Sequence, residues 1–314
     1  MKVTPIETPK KQVFKADNHT IDKTTGGYKD PLMQWPLRGA AFTNEVGEAM
    51  RPIIGGYATL SWIPALLYIG ADIYDKYKNN KTEYSPDSKR CLKQAVFQGM
   101  ASVCLPLVAV KAGQNLFSQI GKFTNDKVSL NSQEHIAKIA NTFIANGKMR
   151  AFDGKDKECV KEFLDIVSNT MDFKKQEQHS KNPMKKLWFF AEEKTAKIFK
   201  INHTENIEQF AEKTIKDLIE MRKKLLNPTE EMKNGNWYTN YTKAMREGQT
   251  QSVAIKSVLT KFQKNKMMRP KAIKTIGGFV ALGLAIKPID SFVENVLIGK
   301  YVGPSIDKIP SSRK

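Results

Sequence analysis

Apolar positions follow two different patterns along this chain. From Pro52 to Ala71 twenty residues pass without a charge, between Arg51 and Asp72; at about 1.5 Å of rise per residue such a run matches a bilayer core. Gly55, Gly56 and Pro64 within it weaken a water-soluble helix but are tolerated in a transmembrane one, where Pro64 predicts a kink. A polar connector, Lys76 to Tyr84, leads to Ser85-Pro86, an N-cap followed by proline at the first helical position. Between Lys93 and Lys111 the seventeen uncharged residues Gln94 to Val110 form a second, shorter span, with Pro106 as a second kink site. Thr275 to Ile286 gives twelve uncharged residues, enough to cross only if Lys274 or Lys287 snorkels, and equally suited in length to a buried core helix.

Residues 123–270 have the other pattern, Lys- and Glu-rich with apolar positions at helical spacing. Asn131 with Glu134 resembles a capping box, Ile136, Ile139, Ala140 and Phe143 share a face, and Gly147 marks a C-terminal cap. Val160, Phe163, Leu164, Val167 and Met171 repeat the spacing. Asn182-Pro183 opens a helix through Phe199. Asn202 with Glu205 opens a long one carrying Ile207, Phe210, Ala211, Leu218 and Leu225, which Asn227-Pro228 stops. Ile255, Val258, Leu259 and Phe262 mark a last helix. The stretch reads as a soluble helical bundle. Residues 1–37 read as a solvated arm with neither a signal-peptide core nor a transit-peptide pattern.

Composition changes this picture in one respect. The 314 residues carry 51 Lys+Arg against 32 Asp+Glu, a net +19. Residues 123–270 hold 28 Lys+Arg and 19 Asp+Glu, so the excess is split almost evenly between the bundle and the rest. Such a spread favours a protein lying along an anionic bilayer over a basic nucleic-acid-binding tail. Cys91, Cys104 and Cys159 lack metal-ligand or redox spacing.

No nucleophile elbow, phosphate-binding glycine loop or HExxH pair occurs, and no cofactor is implied. His19, His135, His179 and His203 sit among polar neighbours, and the paired acids Glu192-Glu193 and Glu230-Glu231 read as solvated helix faces. Lys185, Lys186, Trp188, Phe189, Lys194 and Lys197 combine cations and aromatics that suit an anionic membrane surface, although bundle core is the commoner use of such aromatics. Asp72 and Asp75, three apart, share a helix face beside the first span. Lys287-Pro288-Ile289-Asp290 follows the third apolar run. If these charges lie at membrane depth, Lys287 is expected to pair with Asp290 or Asp72.

Four pieces of sequence carry a resemblance. Asn44-Glu45-Val46-Gly47-Glu48-Ala49 resembles the Asn-Glu-Val-Gly-Glu-Ala element of the mitochondrial fission process protein 1 family. Ala71-Asp72-Ile73-Tyr74-Asp75-Lys76 resembles its Ala-Asp-x-x-Asp-Lys segment. Gln98 to Pro106, with Ala101, Ser102 and Val103, resembles its Gln-x-x-Ala-Ser-Val-x-x-Pro segment, and Pro288-Ile289-Asp290 its Pro-Ile-Asp. The resemblance covers residues 38–118 and 271–300. It implies an integral inner-membrane protein tied to membrane division, without catalysis, and a true membrane segment before Pro288; residues 123–270 have no counterpart in it.

The expectation is an all-α protein: a kinked transmembrane core from residues 38–122 and 271–303, an inserted basic bundle at 123–270, and flexible ends at 1–37 and 304–314. Its expected partners are anionic lipids, further copies of itself or membrane-division proteins, and its setting a bacterial plasma membrane or a mitochondrial inner membrane. Asn44, Glu45, Gly47 and Glu48 are the first site candidates, Gly47 for close helix approach and the two acids for capping or pairing across the core. Two rivals remain: a transport protein using Asp72, Asp290 and Lys287, and a soluble basic helical protein that binds nucleic acid.

Overall fold

The structure, a computed structural model, describes Leu32, Gln34 and residues 36–78, 87–177 and 206–310. The described residues are all-α, with no strand among them. They form two compact units, 1–111 with 278–314, and 112–277. The first 36 residues apart from Leu32, Gln34 and Pro36, the Ser85-Pro86 cap, the Asn182-Pro183 and Asn202/Glu205 helix starts, and Lys185, Lys186, Trp188, Phe189, Lys194 and Lys197 lie outside the described residues.

The first unit contains α1 (Leu37–Ala40), α2 (Thr43–Ile54), α3 (Trp62–Lys78) and α4 (Asp87–Phe97). Three helical stretches of the chain, Thr43–Lys78, Ser88–Phe123 and Gln251–Asp307, are long and apolar enough to cross a membrane. The first is not the span kinked at Pro64 that was expected over Pro52–Ala71. A Cβ placed on Gly47 would lie 2.6 Å from the Cβ of Ser61, whereas fourteen residues of straight helix would separate the two by about 21 Å. The chain folds back at Gly55, whose φ of 60° and ψ of −128° end α2; a tight 3-10 segment, Gly55–Ser61, leads into α3. Glycine is needed there because a side chain rarely tolerates that φ. The bend therefore belongs to Gly55 and not to Pro64, which sits in the first turn of α3, where a missing N–H breaks no bond.

The helix of α4 widens into a π-type turn over Gln98–Cys104 and resumes as α5 (Leu105–Ser118), so the second span is deformed beside Pro106, where the sequence placed it. In the same unit Phe97 and Ala101 pack on Ile289, Val293 and Ile298, and Ala49 and Val110 pack on Leu282. The C-terminal end corrects the expected flexible tail. Residues Gly303–Asp307 are helical, the Asp307 carboxylate pairs with Lys93 at 2.7 Å, and its carbonyl accepts from Lys89 Nζ at 2.7 Å. Residues 311–314 are outside the described set.

The second unit is a helical bundle of α6 (Leu130–Ala145), α7 (Lys148–Ala151), α8 (Asp156–Glu177), α9 (Ile207–Leu226), α10 (Glu230–Lys233), α11 (Asn236–Arg246) and the first part of α12 (Gln251–Phe292). Its core joins Ile136, Ala140 and Phe143 of α6, Cys159, Phe163 and Val167 of α8, Ala211, Ile215 and Leu218 of α9, and Ile255, Val258 and Leu259 of α12. Phe143 meets Phe163 edge to face at 5.5 Å. Each fully buried Leu, Ile, Val or Phe contributes about 1.5–3 kcal/mol, so these stripes are sufficient reason for the helices to pack. The cap of α6 is two residues earlier than expected: Ser129 Oγ accepts the N–H of Ser132, while Asn131 is drawn away to Asn115 and donates its N–H to Ser118 Oγ at 2.8 Å. Gly147, at φ 72°, follows α6 as the left-handed residue predicted there. Leu226 ends α9 immediately before Asn227-Pro228.

The largest difference from the sequence reading is α12. Ile255–Phe262 and the third apolar run, expected as separate helices with a boundary at residue 270, are one helix of 42 residues running through Pro270 and Pro288.

Candidate functional site

The four sequence pieces, separated by up to 246 residues, meet inside the first unit. On α2, Asn44 and Glu48 are buried, 2% and 4% exposed, and Glu45 with them. On α3, Asp72 and Asp75 are buried on the shared face expected from their spacing. Gln94 and Gln98 each donate an Nε2–H to Asp72 Oδ2, at 2.5 and 2.6 Å. Ser102 Oγ donates to Gln98 Oε1 at 2.6 Å. Asn44 Nδ2 donates to the carbonyl of Ser102 at 2.8 Å. A hydrogen-bonded chain thus runs from α2 through the wide turn to α3.

Pro106 explains the last of these bonds. In an uninterrupted helix the N–H of residue 106 would bond to the carbonyl of residue 102, but proline has no N–H. The freed carbonyl is satisfied by Asn44 from a neighbouring helix, which is how apolar surroundings tolerate a proline-broken ladder.

A second cluster gathers on Glu48. Its carboxylate is paired with the Arg51 guanidinium, accepts Trp62 Nε1–H at 2.9 Å and faces Lys111 Nζ at 3.6 Å. Gly47 permits the approach that makes this possible, since any Cβ there would overlap Ser61. Glu45 has a different neighbour: it lies close enough to Asp290 for their charges to interact, and its buried Oε2 has no hydrogen-bond partner among the described residues. Glu48 thus pairs across the core as expected of the two acids, whereas Glu45, one helical turn earlier, meets another acid.

The expected pairing of Lys287 with Asp290 or Asp72 is also corrected. Lys287 is exposed, and Asp72 takes its hydrogen bonds from the two glutamines. Amides from one turn to the next (i, i+4) can both reach a carboxylate on the facing helix; that pattern, Gln94 with Gln98, was present in the sequence and Gln94 was missed. Pro288 lies within α12, one residue before Ile289 of the apolar cluster.

The surface of this unit is inverted relative to a water-soluble protein. Acids and amides share its interior with the apolar clusters, while Tyr57, Leu67 and Leu284 are exposed at 76%, 70% and 74%. Phe279 and Val280 of the third apolar run are exposed too, which does not suit the core of a soluble helix. The bundle has the ordinary arrangement, apolar within and charged outside.

Groups of three or more metal-type side chains are absent among the described residues. His135 is half-buried on α6, and His19, His179 and His203 lie outside the described residues. Burial, with Asp156 and Glu162 adding to it, pushes the Cys159 thiol up to about 11, so it stays protonated in the bundle core. Glu230 pairs with Lys233 at 2.5 Å on an exposed helix, as a solvated charge would. Comparisons of the chain with protein-family models, curated proteins and solved structures find no match.

Proposed function

We propose that this chain is an integral membrane protein that organises or scaffolds an inner membrane during its division, the role implied by its resemblance to the mitochondrial fission process protein 1 family. A bacterial plasma membrane and a mitochondrial inner membrane both fit that role. The observation that carries it is the convergence of the four resembling pieces: Asn44, Gln98, Ser102 and Asp72 are hydrogen-bonded in one network, Pro106 creates the need for one of its bonds, and Glu45 faces Asp290. Pieces that agreed by chance would have no reason to contact one another. Buried polar networks in lipid hold helices together, so the network is the part of the fold that would fix the shape presented to the membrane and to partners.

The test has two steps. Alkaline carbonate extraction of membranes from expressing cells is expected to leave the protein in the pellet; release to the supernatant would refute membrane integration. Depletion is expected to disturb membrane division, and Glu45→Ala with Glu48→Ala is expected not to restore it. Full restoration by that double variant would remove α2 from the functional site.

A second reading, transport of an ion or solute, is favoured by Glu45, whose buried Oε2 has no hydrogen-bond partner among the described residues and whose charged neighbour is another acid, Asp290. Reconstituted liposomes distinguish it. Flux abolished by Asp72→Asn would support transport, and absence of flux under imposed ion, proton and solute gradients would retire it.

A further inference from the structure

We infer that Glu45 and Asp290 form a proton-binding site inside the first unit, an acid pair sharing one exchangeable proton near neutral pH. This rests on the membrane reading of the unit and names the proton as the ion for the transport reading.

Two packing contacts bring the acids together. Ala49 of α2 packs on Leu282 of α12, with Ile286 beside them. Glu45 lies one helical turn before Ala49, and Asp290 one turn beyond Ile286; residues four apart share a helix face. The acids therefore meet where α2 and this part of α12 run in opposite senses, close enough for their charges to interact. The wide turn after α4 fixes the same register. Asn44, beside Glu45, donates to the carbonyl of Ser102, while Ala101 packs with Ile289, beside Asp290.

The surroundings supply no cation to this pair. Glu45 is only 5% exposed, and its buried Oε2 lacks a hydrogen-bond partner among the described residues. Neither acid forms an ion pair among them. The cations nearest along the fold are engaged elsewhere: Arg51 and Lys111 meet Glu48, one turn further along α2. Asp72 of α3 takes its hydrogen bonds from Gln94 and Gln98. On α12 Lys287 is exposed, and Glu294, one turn beyond Asp290, adds a further negative charge to its surroundings.

Two carboxyl groups held together away from water cannot both stay ionised. One proton resolves the conflict. Bound at Glu45 Oε2, it turns an unpartnered acceptor into an O–H that donates toward the Asp290 carboxylate, and it cuts the pair from two negative charges to one. The proton comes from water and returns to water, with no other bond made or broken. Asp290, half-buried where Glu45 is buried, is the member through which it exchanges. A hard metal cation is the poorer occupant, since it takes about six or more oxygen ligands. No metal-type group of three acids, histidines or cysteines gathers among the described residues, and the amides of Asn44 and Gln98 are already engaged.

Infrared spectra of the full-length protein in neutral detergent test the site, because protonated carboxyl and carboxylate groups absorb apart. Near neutral pH, wild type minus Glu45→Gln is expected to show a protonated-carboxyl band that shifts in heavy water and is lost as pH is raised. Asp290→Asn, which replaces the accepting carboxylate with an amide, is expected to shift that band, a change that a purely structural role would not produce. If Glu45→Gln fails to fold, wild type minus Asp290→Asn reads the same shift. Asp307→Asn, which removes a carboxylate paired with Lys93, is expected to leave the band in place. Absence of the band, a band indifferent to Asp290→Asn, or its loss when sodium or potassium chloride replaces choline chloride would each overturn the proton site. Any of these results with wild type retained in carbonate-washed membranes overturns the site alone, whereas carbonate release of wild type overturns the membrane reading beneath it. The band present without proton flux in liposomes supports the site and retires transport.

Discussion

With no N–H at Pro106, the carbonyl of Ser102 loses its ordinary i+4 donor, and Asn44 supplies one at 2.8 Å. The two residues are therefore coupled through a third. Asn44→Ala is expected to destabilise the protein by about 1–2 kcal/mol, the range for leaving a buried acceptor unsatisfied and for side-chain bonds between membrane helices. In a Pro106→Ala background the restored N–H can close the ladder, so the same Asn44 change should lose most of its effect. Unfolding in graded denaturing detergent measures both, and strictly additive losses would contradict the coupling. Asn44, Ser102 and Pro106 were each legible in the sequence as parts of resembling motifs, but the reason for their co-occurrence was not, because the bond joins residues 58 apart. Likewise Gly47 was read as a site of close approach, while its contact, Ser61, depends on the reversal at Gly55.

At the scale of elements, α6 and α12 are joined by a charge pair that neither helix reveals alone. Glu134 Oε2 and Lys274 Nζ are 2.7 Å apart with both side chains mostly buried. Burial raises the Glu134 carboxyl, but the Lys274 ammonium, with help from Lys138 and Lys271, outweighs it and holds the group below its usual 4.5. A carboxyl with a depressed folded-state pKa contributes stability that is complete above its ordinary value and is lost as pH falls through the folded value. The apparent Tm of wild type should therefore drop between about pH 5 and pH 3 more steeply than that of Glu134→Gln. Parallel curves would show that the pair contributes nothing. Lys274→Met, which strands the carboxylate, should cost about 2 kcal/mol near neutral pH for a pair that keeps some contact with water. The helix α12 itself was only half legible. Its face Ile255, Val258 and Leu259 was legible and packs in the bundle core, yet the change of polarity near residue 270 suggested a boundary that the continuous backbone does not have.

For the whole molecule, the two units differ in what they expose and in the charged groups they bury. In the bundle the apolar residues are inside; in the other unit Asp72, Glu48 and Asn44 are inside and many large apolar side chains are outside. Leu67→Arg tests that inversion. At a water-facing position a leucine exposed at 70% would accept arginine with a change near zero. At a lipid-facing one the substitution should reduce the membrane-inserted fraction, with a penalty of about 3 kcal/mol toward the middle of the bilayer. Carbonate-resistant yield per cell, compared with Leu67→Phe, reads the difference, and equal yields would mean that this face meets water.

Sequence alone determined what depends on neighbours along the chain. Helical periodicity gave the bundle stripes, uncharged length marked the stretches able to enter a bilayer, and the caps at Gly147 and Asn227-Pro228 set helix ends, because each is a matter of a few adjacent residues. Tertiary structure decided what depends on contacts across the chain. It folded the first apolar run back at Gly55, carried α12 through Pro270, and sent Glu45 toward Asp290 and Glu48 toward Arg51 and Trp62. A single φ angle or one helical turn redirects a side chain by many ångströms, and only packing selects which direction is taken.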